Sequence, residues 1–129
     1  MGGVVISPVT LLLIMFLAAL PPVWSPDRLS TLIPAAQRTG IVIQVYTEPD
    51  GDGHIWMQLN GPARILAEVT CVRPPVRPPA AVAACQGYTN TITLPQIGQR
   101  IRVFGPLVFD RDHGWLELHP VTRIDVLPP

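Results

Sequence analysis

The sequence predicts an all-β barrel behind an apolar N-terminal segment, and three observations predict it. Apolar and polar residues alternate with period two in several runs after Arg38, the signature of half-buried strands. Turn clusters separate those runs: Glu48-Pro49-Asp50-Gly51-Asp52-Gly53, Gly61-Pro62 and Asp110-Arg111-Asp112-His113-Gly114. Sixteen prolines and ten glycines in 129 residues interrupt the chain too often for a helical bundle. Once the N-terminal segment is set aside, about a hundred residues remain, which suits one small domain.

Arg100–Leu127 carries the strongest pattern, two strands joined by a tight turn. In the second strand Leu116, Leu118, Thr122, Ile124 and Val126 are expected to face the core, with Trp115, Glu117, His119, Arg123 and Asp125 on the solvent face. In the first, Ile101, Val103, Leu107 and Phe109 oppose Arg100, Arg102 and Phe104, and Gly105-Pro106 marks a bulge or bend. Upstream, Thr39, Ile41, Ile43 and Val45 alternate with Gly40, Val42, Gln44 and Tyr46 as a first strand. A second strand runs from His54 to Asn60, with Ile55, Met57 and Leu59 inward, and a third from Arg64 to Val72.

Val4–Leu20 is almost wholly apolar, with Val9–Leu20 (VTLLLIMFLAAL) as its core. That core is shorter than the roughly twenty residues a membrane span needs, and Pro21-Pro22 ends it, as in a signal peptide. The flanks lack an N-terminal Lys or Arg and a small-x-small cleavage site, so an uncleaved membrane anchor stays open. Either reading exports the chain to a periplasmic or extracellular compartment. The expected organisation is a leader or anchor at 1–25, a linker or single helical turn at 26–37, and the folded domain at 38–129.

Cys71 and Cys85, the two cysteines of the chain, bracket VRPPVRPPAAVAA, which has no strand signal. In an oxidising compartment a disulfide between them is the economical reading. Closing a loop of about 15 residues stabilises a fold by about 3 kcal/mol in the chain-entropy model. No histidine lies at a ligand spacing from either cysteine, which argues against a metal pair.

Three strands, a crossing segment and a strand hairpin are the order of the five-stranded, Greek-key OB barrel. Gly98–Phe109 followed by HGWLELHPV at His113–Val121 resembles small exported bacterial OB-fold proteins that carry an HGWxEIHPV-like segment in the last hairpin. The resemblance covers roughly residues 38–127 and implies a fold and a compartment more than an activity.

Two sets of residues are candidates for binding. The outer groove of an OB barrel would present Tyr46, His54, Trp56, Gln58, Arg64 and Thr70, with the aromatic rings available for stacking. The last hairpin would present Trp115, Glu117 and His119, and with His113 this face has two imidazoles and a carboxylate that can meet on a metal or act as acid and base. The plainer alternative pairs Glu117 with an arginine such as Arg102. Charge bears on the ligand: the chain has no lysine, nine arginines balance nine carboxylates, and Glu48, Asp50, Asp52, Asp110 and Asp112 are expected to rim the groove. Phosphates would meet the wrong sign there, which disfavours nucleic acid.

No nucleophile elbow, phosphate loop, CxxC pair or HExxH segment occurs, and neither a cofactor nor a resident metal is expected. The expected function is an exported binding or adaptor module of the cell envelope, not an enzyme. Its partner would be an envelope protein, a peptide or a saccharide, with membrane contact through the N-terminal segment if that is retained. A nucleic-acid-binding OB protein is the alternative, and a metal-dependent enzyme using His113, Glu117 and His119 the third reading.

Overall fold

A computed structural model of the protein describes Gly3, Val5 and residues 20–129. Most of the expected leader lies outside the described residues, and among those described no helix is long and apolar enough to cross a membrane. The strands are β1 (Leu29–Thr47), β2 (Gly53–Gln58), β3 (Arg64–Val69), β4 (Arg100–Asp110), β5 (Trp115–Leu118) and β6 (Arg123–Val126), with a 3-10 turn at Pro26–Arg28 before β1 and a short helix, α1 (Pro79–Ala84), between β3 and β4. The sheet order is β1-β2-β3-β5-β4-β6, and β1 also pairs with β4, which closes the sheet. β3 and β5 are parallel and the other pairings antiparallel. This is the all-β, OB-fold-like barrel that the strand order predicts, with β6 added along β4.

Closure depends on the length of β1. Its first part pairs with β4 from Leu29↔Asp110 to Ile41↔Arg100, and its last part with β2 from Ile41↔Gln58 to Thr47↔Gly53. Residues 29–37 are therefore strand, not the linker expected at 26–37. Leu32, Ile33, Pro34 and Ala35 are all exposed, so no buried face imposes alternation, and the register shifts around Pro34, which has no N–H to donate. The fold, expected at 38–129, also reaches back into the segment assigned to the leader or anchor: Pro21 is buried, and Trp24 Nε1–H donates to Asp50 at 3.0 Å.

The barrel interior is filled by Val42, Ile55, Met57, Ile65, Ala67, Val69, Ile101, Val103, Leu107, Leu118 and Val121. Period two holds on β2, where Ile55 and Met57 are inside. It fails as a guide to burial on the last hairpin, where Leu116 is 45 % exposed, Phe109 36 % and Val126 58 %, while Glu117 and His119 are buried. Leu116 and Phe109 form a cross-strand pair next to the turn, beyond the end of the core. The face carrying Glu117 and His119 packs with Glu68 of β3, and Trp115 on that face packs with Trp56 of β2.

The expected single strand at 115–126 is two strands. β5 meets Leu107–Asp110 of β4, β6 meets Ile101–Phe104, and the register moves by two residues between them. The interruption falls at Gly105, where a Cβ would lie 2.6 Å from the Pro120 carbonyl oxygen, so only glycine admits the close approach. Cys71 and Cys85 are joined, with their Cα atoms 5.6 Å apart. The loop they bracket is less bare than its prolines suggest. It contains α1, and Val72 and Val76 donate to the Gly51 and Pro49 carbonyls, which packs it onto the β1–β2 turn.

Candidate functional site

The β1–β2 turn is built to turn one carboxylate inward. Glu48 N–H bonds the Asp52 carbonyl at 2.9 Å, Asp52 N–H bonds Asp50 Oδ1 at 3.0 Å, and Gly51 takes a φ of +89° that the turn requires. Asp52 ends fully buried, with Oδ1 accepting the Cys71 N–H at 3.1 Å. The disulfide-clamped segment thus fixes the first member of a polar cluster on the outer face of the barrel.

β2 and β3 supply the next two. His54 and Glu68 are cross-strand partners, and His54 Nε2 lies 3.5 Å from Glu68 Oε1. His54 Nδ1 faces the Tyr46 hydroxyl at 3.3 Å. From β5 comes Glu117, whose Oε2 accepts the Trp115 indole N–H at 3.0 Å and whose Oε1 lies 2.9 Å from His119 Nδ1. The same His119 nitrogen is 3.1 Å from Glu68 Oε2. The peptide backbone holds the imidazole in place, since His119 N–H bonds the Pro106 carbonyl and Val121 N–H bonds that of Glu68.

Asp52, Glu68, Glu117 and His119 are each 3 % exposed or less. Burial raises Asp52 to about 7, helped by the charge of Asp50 and opposed by the Cys71 N–H and Arg28. Burial likewise raises Glu68 to about 9, with Glu117 and Asp52 adding to the effect. His54 is lowered, burial outweighing the pull of Asp50 and Glu48. A proton is therefore held among these groups near neutrality, as a general acid requires, and a cation bound there would displace it.

A cleft of about 490 Å³ opens beside the cluster. Glu48, Pro49 and Asp50 form one wall and His113 the other, Trp24, Arg28, Arg77 and Pro78 border it, and His54 and Glu68 line it from the strands. Arg28 lies over the Trp24 ring, 4.8 Å from its centroid. The N-terminal segment and the Cys-bracketed loop roof a face that would otherwise meet solvent.

Of the residues expected to bind ligand, His54 lines this cleft, and Tyr46 supports it from behind. Trp56 packs edge-on to Trp115 at 5.3 Å, and Trp115 stacks on His113 at 4.7 Å, so the three rings form one cluster. Gln58 is tied into the β2–β3 turn by the Gly61 and Ala63 carbonyls and by Arg64. Glu117 and His119 lie in the buried cluster, and Glu117 meets Trp115 and His119 rather than Arg102. His113 does not join them: its Nδ1 is 2.8 Å from Asp110 Oδ2 at the rim. Asp52 and Asp110 are buried, not rim charges.

Sequence reasoning missed Asp52 and Glu68 as site residues. Glu68 has the parity of Arg64 and Thr70 on the third strand, and that was a usable signal. Asp52 looks like turn chemistry. No family model matches the chain, and no curated protein matches it.

Proposed function

We propose that the protein is a binding module of the cell envelope, exported and disulfide-stapled, that takes its ligand in the cleft between the β1–β2 and β4–β5 turns. The cleft itself carries this reading: its position between two turns at the barrel end is where OB barrels hold ligands, and about 490 Å³ suits a small group or a side chain. Its lining sets Arg28 and Arg77 against Glu48 and Asp50, a near-balance of charge that favours a neutral or zwitterionic ligand. Trp24 and His113 offer ring surface, Glu48 and Asp50 offer acceptors, and Glu68, its pKa raised to about 9, offers a proton. A saccharide or a peptide fits that chemistry, whereas a polyphosphate backbone would meet Glu48 and Asp50 beside the two arginines.

The disulfide supports an oxidising compartment. The resemblance of HGWLELHPV to small exported bacterial OB-fold proteins supports the same place. The test is titration of the full chain with a zwitterionic peptide, a neutral oligosaccharide and oligothymidine. Binding in one of the first two, weakened at least tenfold by His113→Ala, is expected. Sub-micromolar binding of oligothymidine that weakens steeply with salt would replace this reading with nucleic-acid binding.

A further inference from the structure

We propose that Asp52, Glu68 and His119 form a binding site for a divalent transition-metal ion, Zn2+ or a chemically similar cation, in the polar cluster beside the cleft. One donor atom from each of the three lies within 4.8 Å of the other two. This inference stands apart from the ligand proposed for the cleft.

The geometry alone would describe many acidic clusters. What distinguishes this one is unmet bonding capacity inside the fold. Asp52 Oδ2 and His119 Nε2 are buried and have no hydrogen-bond partner among the described residues, although their side chains are 0 % and 2 % exposed. Buried polar atoms are almost always partnered, so two orphans in one three-residue cluster point to a missing group. Asp52 Oδ1 is already used by the Cys71 N–H, which leaves Oδ2 as the atom to donate.

Charge points the same way. Asp52, Glu68 and Glu117 are three buried carboxylates, and none of them makes an ion pair with an arginine among the described residues. The arginine of the cleft, Arg28, is directed to Asp110, 3.9 Å away. Glu68 and Glu117 share one nitrogen of His119 between them, Asp52 has no cationic partner among the described residues, and a dication would offset two carboxylates at once.

Two carboxylate oxygens and one imidazole nitrogen suit Zn2+ or Mn2+ rather than Cu+, which favours sulfur. Bonds of roughly 2.0–2.2 Å would draw the three donors together and leave a fourth position open. Glu68 borders both cluster and cleft, so a cation can enter there. Glu117 is the positioning residue. Held by the Trp115 indole, it takes His119 Nδ1, which Glu68 Oε2 also approaches at 3.1 Å, and leaves Nε2 as the ring atom without a partner, as outer carboxylates do for metal-bound histidines.

The test uses the full chain in mild detergent, stripped with EDTA, dialysed and titrated with Zn2+ in a calorimeter, with bound metal counted by mass spectrometry after gel filtration. One Zn2+ per chain is expected, with a raised melting temperature. Asp52→Asn keeps the acceptor for Cys71 and should weaken binding at least tenfold, Glu117→Gln should weaken it about tenfold, and Asp112→Asn on the rim should leave it unchanged. Co2+ loaded into the unaltered chain should give visible d–d absorption, a readout that needs no variant to fold. Failure to retain Zn2+, Mn2+ or Co2+ would overturn the site, as would loss of binding on His113→Ala with Asp52→Asn unaffected.

Discussion

The β4–β5 turn holds Asp110 against His113 at 2.8 Å, and a few residues further on Glu117 meets His119 at 2.9 Å, yet the two pairs share little else. Asp110 is buried under a histidine whose side chain is 49 % exposed, and its Oδ1 also accepts the backbone N–H groups of Asp112 and His113. Burial acts to raise its pKa, but the His113 ring and those N–H groups outweigh it and hold the carboxyl below the usual range. Glu68, next to the second pair, has no comparable set of backbone donors and goes up instead. Two solvent-hidden carboxylates thus behave oppositely, the one near the surface among N–H donors and the deeper one without them. A carboxylate supplied with N–H groups is a structural cap, and one left without them holds a proton or calls for a cation.

The largest expected effect separates the barrel interior from the end of the hairpin. Leu118 is fully buried, and Leu118→Asp should unfold the domain by placing an unpaired carboxylate in the core. Leu116→Asp should change stability by less than about 1 kcal/mol, since Leu116 is 45 % exposed. Thermal melts of the two variants decide it, and equal losses would mean that the register of β5 is wrong.

Next comes the clamp. Replacing Cys71 and Cys85 together by alanine should lower stability by about 3 kcal/mol in denaturant titration. It should also loosen Asp52, whose Oδ1 is held by the Cys71 N–H. A loss well under 1 kcal/mol would show that the loop is fixed by its contacts with the β1–β2 turn alone.

The two histidine pairs then predict unequal losses. Glu117→Ala leaves the Trp115 indole without its acceptor and the buried His119 ring with Glu68 alone, which should reduce stability by about 1–3 kcal/mol. His113→Ala removes a half-exposed ring, and about 1 kcal/mol or less is expected. The reverse order would make the rim pair the structural one.

Barrel topology was legible in the sequence because glycine and proline punctuate it. The EPDGDG and Gly61-Pro62 turns and the Asp110–Gly114 turn separate the strands that the structure shows. The disulfide was legible from two cysteines and an apolar leader. Residues 29–37 were not, because alternation reports one buried face and this half of β1 has none. The shared face of Trp115, Glu117 and His119 was legible, but its burial was not. Its partners come from other strands, Glu68 of β3 at His119 and Trp56 of β2 at Trp115, and no local pattern in the hairpin announces them.

Metal-free stability against pH tests the central claim, a proton-holding cluster on the barrel's outer face, most directly. Glu68, with an ordinary value of 4.5, sits near 9 in the fold, so the folded chain binds more protons than the unfolded chain between those values. Stability is then lost as pH rises. Asp52 acts in the same direction up to about 7, and the lowered His54 opposes it below its ordinary value of 6.5, which leaves pH 7–9 as the cleanest window. Denaturant titrations of the EDTA-stripped chain should show stability falling there by no more than about 1.4 kcal/mol per pH unit, the limit for one proton. Glu68→Gln should flatten that slope. A wild-type curve that is flat or rising from pH 7 to 9, or a slope untouched by Glu68→Gln, would contradict the account.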